Sequence, residues 1–171
     1  MRIAITGIGM VSAIGCNCTE TLQALRNERS GIGAMRMLQS VHTDLPVGEV
    51  PYTDAELKQM LGVDEPMPRT SLLGLMAARE AMLMANSQQQ IAFISGTTVG
   101  GMDVTESLFP EPLPEGMPDV HDCGASTNDI ADTFGCFDYT SSVSTACSSA
   151  MCPARRIPSA ARRLSGRISA A

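Results

Sequence analysis

From Thr70 to Ala85 the chain carries only two charges, the adjacent Arg79 and Glu80, and the other residues are apolar or small. This stretch predicts a helix buried on most of its surface, and a sheet is the neighbour that suits such burial. Ile91–Ser95 reads as a short strand, followed by the glycine-rich turn Gly96-Thr-Thr-Val-Gly100-Gly101. A buried helix leading into an apolar strand favours a layered α/β fold.

The flanking segments agree. Ile3–Thr6 reads as a short buried strand ending at Gly7-Ile-Gly9. Thr19 to Arg29 reads as a helix with Glu20 in its first turn, Arg26 and Arg29 in its last, and Gly31 as a stop. Val47–Val50 is a short strand. Thr53 to Leu61 is a helix with a Thr53–Glu56 capping box, an apolar face of Leu57, Met60 and Leu61, and Gly62 as terminator. Residues 109–119 hold four prolines and three acids, the chemistry of a surface loop. Asn128 to Phe134 is a short helix closed by Gly135, and Ser141–Thr145 is a strand. Strands alternating with helices predict a largely parallel sheet.

Charge divides the chain. Residues 1–150 carry seven basic and eighteen acidic side chains, a balance of −11, whereas residues 151–171 carry five arginines and no acid. The acidic body argues against nucleic acid as a partner of the main domain. No apolar run approaches the length of a membrane span. Met1–Ala13 is broken by Gly7 and Gly9 and reads as strand and turn rather than a leader. Six cysteines without a secretory segment imply free thiols in a reducing, cytoplasmic setting. Cys16-Asn-Cys18 has no second cysteine pair to complete four metal ligands, so no metal is expected. Cys16, Cys18, Cys123 and Cys136 are expected to pack as small hydrophobes.

Three motifs invite chemistry. Gly7-Ile-Gly9-Met-Val-Ser12 approaches the dinucleotide fingerprint, but Ser12 stands where glycine or alanine belongs. Glu28, near the spacing of a ribose-binding acid, falls inside the predicted helix. Gly100-Gly101 offers backbone amides to an anion, or a close approach of backbone to backbone. His42 and His121 are the only histidines, and neither has the local setting of a general base.

The sharpest motif is Val143-Ser-Thr-Ala-Cys147-Ser-Ser-Ala150. A β-branched, hydroxyl-rich run leads into a cysteine, and small residues able to open a helix follow. A thiol at a strand-to-helix turn lies in the positive field of the helix, which favours the thiolate. Cys147 is thereby the candidate nucleophile for covalent acyl transfer.

An ordered set of segments resembles one family. The opening Ile3-Ala-Ile-Thr-Gly-Ile-Gly-Met-Val-Ser-Ala-Ile-Gly15 is joined by Arg29-Ser-Gly-Ile32 and Arg69-Thr-Ser-Leu-Leu-Gly-Leu-Met-Ala-Ala-Arg-Glu-Ala81. Ser95-Gly-Thr-Thr-Val-Gly-Gly-Met102, Ile130-Ala-Asp-Thr-Phe-Gly135 and Ser144-Thr-Ala-Cys-Ser-Ser-Ala150 follow in order. Together they resemble the β-ketoacyl-acyl-carrier-protein synthases, condensing enzymes of the thiolase-like fold. The resemblance implies the N-terminal half of that α/β fold over residues 1–150. It implies an acyltransferase of fatty acid or polyketide synthesis, in which Cys147 takes an acyl group from the phosphopantetheine arm of an acyl carrier protein. A malonyl thioester then loses carbon dioxide, and the carbanion attacks the acyl-cysteine. The amide of Cys147 would form half of an oxyanion hole, and Thr145, Ala146 and Ser148 would shape the elbow. No cofactor is implied, and the intact enzyme would be a homodimer.

Several departures accompany the resemblance. The family's two histidine motifs, its later lysine and its second oxyanion loop have no counterpart here. After Ala150 the family continues as a buried helix. Here Met151-Cys-Pro-Ala-Arg-Arg-Ile-Pro158 follows, and proline inside a helix costs about 3 kcal/mol. Residues 151–171 are therefore expected to be an irregular or disordered tail, from a frame or gene interrupted after Ala150. The alternative for this tail is a basic arm for nucleic acid. The expectation is a truncated ketosynthase without complete condensation activity, with exposed apolar surface and poor solubility. Two rivals stand beside it: a non-catalytic module that docks on a full-length synthase, and a nucleotide-dependent oxidoreductase using the Gly7–Ser12 turn.

Overall fold

The computed structural model describes residues 3–38, 40–86, 91–108 and 122–144. The chain forms two compact units: residues 1–66 with 72–87, and residues 67–71 with 88–171.

The first unit is built around helices. α1 (Cys18–Arg26) is capped by the Asn17 side chain, which accepts from the Glu20 amide at 2.8 Å. The Glu20 carboxylate reaches back to the Cys16 amide at 2.9 Å. The helix stops three residues before the expected Arg29, because Asn27 closes the last turn and Glu28 turns left-handed (φ 52°). A two-residue antiparallel pair follows, β1 (Ile32–Gly33) with β2 (Val47–Gly48), so the expected Val47–Val50 strand survives only in its first half. α2 (Asp54–Leu61) has the predicted ends. Thr53 and Glu56 form the reciprocal capping box, and Gly62 closes the helix at φ 70°. Leu57 on its apolar face is fully buried.

α3 (Arg69–Ala85) is the predicted long helix, half-buried or buried along its length except at Leu83 and Met84 near its end. Its small residues Ala77, Ala81 and Ala85 receive the N-terminal segment. A Cβ on Gly9 would overlap the Ala77 carbonyl, and one on Gly7 would overlap that of Ala81. Glu80 fastens this contact by accepting from the Met10 amide at 3.0 Å and the Cys18 amide at 2.8 Å. The expected buried strand at Ile3–Thr6 does not form. Among the described residues it has no ladder partner, and Ile3 and Ile5 are 86% and 83% exposed. A β-prone sequence becomes a strand only when another backbone satisfies its amides and carbonyls.

The second unit contains β3 (Ile91–Gly96), α4 (Met102–Leu108), α5 (Cys123–Phe134) and β4 (Phe137–Val143), together with the first turn of α3. β3 and β4 are parallel, in register from Ala92↔Tyr139 to Gly96↔Val143, with one irregularity after the Ile91↔Phe137 pair. Phe93 stacks on Phe137 at 5.0 Å, and Phe134 meets Phe137 edge-on at 5.6 Å, which binds the end of α5 to the start of the sheet. Ile130 and Ala131 of α5 are buried.

The second unit also differs from expectation. α5 begins at Cys123 rather than Asn128, because Asp122 caps it by accepting from the Gly124 amide at 3.1 Å. β4 begins at Phe137 rather than Ser141 and ends at Val143. α4, absent from the sequence reading, is a short helix of seven residues. The segments 109–121 and 145–171 lie outside the described residues, as do the expectations placed on them. No described helix is long and apolar enough to cross a membrane.

Candidate active site edge

The two parallel strands end level with each other. Gly96 at the end of β3 lies opposite Val143 at the end of β4. One further bond extends the ladder: the Thr97 amide donates to the Val143 carbonyl at 3.1 Å. The turn at Thr97–Gly101 and the segment that leads to Cys147 therefore leave from the same carboxyl edge. In open α/β sheets that edge carries the ligand-binding loops.

The turn at this edge is firmly specified. The Thr97 hydroxyl accepts from the Val99 amide at 3.2 Å, and the Met102 and Val104 amides close onto the carbonyls of Val99 and Gly101. Gly100 holds φ 56° and is buried, as is Gly101. A left-handed, buried position needs glycine, since a Cβ there is strained. Gly100-Gly101 thus forms a buried turn in which Gly100 takes the left-handed conformation. α4, which follows, has seven residues, too short to argue for an anion site at its start.

Polar side chains also tie the second unit together. Ser71, fully buried, donates to Asp129 Oδ2 at 2.7 Å, and Asp103 Oδ2 accepts from the Arg69 amide at 2.9 Å. The first turn of α3 is thereby held to both α5 and α4. These buried partnerships escaped the sequence reading, because single serines and aspartates carry no periodicity that marks them.

Cys147 itself lies outside the described residues, three positions beyond the exposed Ser144. Thr145, Ala146 and Ser148 lie there too, as does His121. His42 is exposed on a loop, as the sequence suggests. The other thiols depart from expectation. Cys16 and Cys18 are half-buried rather than packed away, and Cys136 is exposed at the turn between α5 and β4. The side chain of Cys123 is outside the described set. Burial, then the charge of Glu20, pushes the Cys16 thiol up. Burial, then the hydrogen bond and charge of Glu80, pushes up that of Cys18. Both environments oppose the thiolate needed for nucleophilic attack.

The Gly7–Ser12 turn is not a dinucleotide loop. Ser12 and Gly15 bridge each other at 2.8 Å and 3.3 Å, α1 starts only at Cys18, and among the described residues no strand precedes the glycines. Gly7 and Gly9 serve contact with α3 instead. Glu28 sits in a left-handed turn and not at a strand end. Among the described residues, no group of three or more His, Cys, Asp or Glu side chains is placed to hold a metal ion.

Comparison with known proteins bears on the family of the chain. Residues 1–157 match the family described as Beta-ketoacyl synthase, N-terminal domain. Nodulation protein E of Rhizobium meliloti (strain 1021) is 29% identical over 130 residues, which cover 67% of this chain and 30% of that protein. Nodulation protein E of Rhizobium sp. (strain N33) is 31% identical over 106 residues, covering 58% and 25%. Among solved structures, the ishigamide ketosynthase/chain length factor superposes with a TM-score of 0.65 at 26% identity, over 84% of this chain and 40% of that one. The chain thus spans less than a third of the length of these curated relatives. Its α/β architecture is part of the thiolase-like ketosynthase fold. The chain belongs to the beta-ketoacyl synthase family, which it matches through the family's N-terminal domain.

Proposed function

We propose that Cys147 is the acyl-accepting nucleophile of a ketosynthase, and that this chain contributes the acyl-transfer half of a condensation. The observation that carries the reading is the shared carboxyl edge. β4 ends at Val143 beside the turn after β3, and Thr145-Ala-Cys147-Ser-Ser-Ala150 follows at once. A thiol set just past a strand end, before small residues suited to a helix, has the local setting that lowers a cysteine's pKa.

In the reaction, the Cys147 thiolate attacks the carbonyl of an acyl thioester. A new sulfur–acyl bond forms, the old one breaks, and the thiol of the phosphopantetheine arm leaves with a proton. The acyl carrier protein is the proposed donor, the cytoplasm the proposed compartment, and a dimer the proposed assembly. Decarboxylation of a malonyl thioester and attack of its carbanion on the acyl-cysteine would complete the condensation. His42 is exposed on a loop and His121 has no flanking motif of a catalytic base, so these 171 residues are not expected to catalyse that second half.

The test is mass spectrometry after incubation with an acyl-carrier thioester. The expected result is one acyl adduct on the peptide containing Cys147, absent in Cys147→Ala. Malonyl carrier protein added afterwards is expected to yield no β-ketoacyl product. An adduct at Cys136 instead, or none on any thiol, would overturn the assignment, and turnover to a β-ketoacyl product would overturn the half-reaction limit.

A further inference from the structure

Two thiols stand on either side of the residue that starts α1. Cys16 and Cys18 are the most closely spaced cysteines in the chain, and both are free and half-buried. Between them Asn17 is the N-cap, extended at φ −156° and ψ 169°, with its side chain accepting from the Glu20 amide. In extended chain, side chains two residues apart share a face, so both thiols face the same way. The backbone on either side is anchored. The Cys16 amide donates to Glu20 Oε2 at 2.9 Å, and the Cys18 amide to Glu80 Oε1 at 2.8 Å.

Extended geometry also sets the separation of the pair. Two fully extended residues span about 7 Å between Cα atoms. A disulfide needs Cα atoms about 4.4–6.8 Å apart, most often about 5.5–6 Å. Bridging the pair therefore draws Asn17 out of its extended conformation. That conformation is what lets an N-cap side chain turn back to the amides of the first turn. A Cys16–Cys18 disulfide and the Asn17 cap exclude each other.

We propose that Cys16 and Cys18 form a redox switch at the start of α1: the dithiol keeps the cap, and the disulfide releases it. The oxidant is a small-molecule disulfide such as oxidised glutathione. One cysteine thiolate attacks its S–S bond, forms a mixed disulfide and releases one glutathione. The second thiolate attacks the protein sulfur of that mixed disulfide and releases the other. The two cysteine sulfurs are oxidised, the two glutathione sulfurs are reduced, and the two thiol protons end on the released glutathiones. Burial with Glu20 at Cys16, and burial with Glu80 at Cys18, favour the protonated thiols. Exchange is therefore slow at neutral pH, and the equilibrium carries the coupling. That coupling is reciprocal. A cap that the disulfide must break holds the pair reduced, by about fivefold for a typical cap. Oxidation also removes the S–H that Cys18 donates to the Ile8 carbonyl at 3.5 Å.

The experiment equilibrates the 171-residue chain in buffers of graded oxidised and reduced glutathione. Peroxide is avoided because it would also attack the 12 methionines. Trypsin yields one peptide, residues 3–26, that holds both thiols and no other, so a bridge within it is read as the loss of two hydrogens. The expected result is that internal disulfide. With it, amide exchange should quicken about fivefold or more at Glu20, which the Asn17 side chain caps, and at Thr21, which bonds the Asn17 carbonyl. Asn17→Ala has no cap to lose, and its equilibrium constant for oxidation should be about fivefold higher. Asn17→Ser keeps a capping oxygen and should stay near the native value. Cys16→Ser cannot close the bridge, so its exchange at Glu20 and Thr21 should not respond to the buffer.

Glutathione adducts without an internal disulfide, a bond from either thiol to another cysteine, or unchanged exchange in the bridged chain overturns the proposal. An Asn17→Ala titration that coincides with the native one shows that bridge and cap coexist, and overturns it too. So does a Cys16→Ser chain whose exchange quickens as much as the native chain's, since the effect then comes from other thiols.

Discussion

The amide of Thr97 donates to the carbonyl of Val143 at 3.1 Å, one residue beyond the last paired position of β3. This bond fixes the turn after β3 against the final residue of β4. The turn's own shape depends on Gly100 at φ 56°. Displacing that turn also displaces the point from which the chain departs toward Cys147.

Gly100→Ala is therefore expected to destabilise the second unit by about 1–2 kcal/mol, the cost of a left-handed alanine. The check is a urea titration followed by circular dichroism. The same variant should slow acylation at Cys147 at urea concentrations where the protein remains folded. An unchanged midpoint would show that the turn relaxes without strain.

The N-terminal contact with α3 makes a sharper demand. Gly9 faces the Ala77 carbonyl with no room for a methyl group, and both partners are backbone. Overpacking of this kind costs about 1–3 kcal/mol even where side chains can yield. Gly9→Ala should release residues 3–10 from the helix, seen as faster amide exchange at Met10 and earlier proteolysis. Gly33→Ala is the control, since nothing lies within 4 Å of its added carbon. Equal effects of the two substitutions would refute the packing argument.

The capping box of α2 predicts an acid-sensitive helix end. The Thr53 backbone amide, then its hydroxyl, holds the Glu56 carboxyl below the ordinary glutamate range. A lowered folded-state pKa contributes stability that is present above the unfolded value, near 4.3, and lost as pH falls through the folded value. The native chain should lose stability below about pH 4 relative to Glu56→Gln, which has no such proton to gain. Thr53→Ala should cost about 1 kcal/mol at neutral pH. Thermal melts of the three proteins across pH 3–7 measure both effects, and parallel curves for the native chain and Glu56→Gln would remove the linkage.

This helix was also among the most legible parts of the sequence. Thr53, Glu56 and Gly62 encode their own geometry locally, and the structure reproduces each role. α3 was legible through its low charge. Elements whose form depends on distant partners were not. Ile3–Thr6 has the composition of a strand, but pairing is a property of two segments, and its composition cannot supply the second. The front half of α5 hid because Gly124, Ser126 and Thr127 are weak helix formers, held by the Asp122 cap and by burial of Ser126 and Thr127. β4 was found four residues late, since Asp138 breaks the apolar run while pointing outward from a half-buried strand. Of the proposed site, Cys147 is a candidate from its sequence motif alone, and it lies outside the described residues. The Thr97–Val143 bond and the Ser71–Asp129 pair were not legible, because both join residues far apart in the chain.

The thiols separate by environment, and alkylation rates should report it. Cys136 is exposed. Cys16 is raised by burial and then by Glu20, and Cys18 by burial and then by the hydrogen bond and charge of Glu80. The thiolate attacks iodoacetamide and displaces iodide, and each unit of raised pKa cuts the thiolate fraction at neutral pH about tenfold. Peptide mapping after timed labelling at pH 7.5 should find Cys136 modified ahead of Cys16 and Cys18. Glu80→Gln keeps an acceptor for the Met10 or Cys18 amide but removes the negative charge, so it should speed labelling of Cys18 and leave Cys16 unchanged. Glu20→Gln should do the converse. Raising the pH should speed labelling of Cys16 and Cys18, because their raised thiols then ionise. Should Cys18 respond to neither Glu80→Gln nor pH, its carboxylate neighbour does not govern it, and the electrostatic account of these two thiols fails.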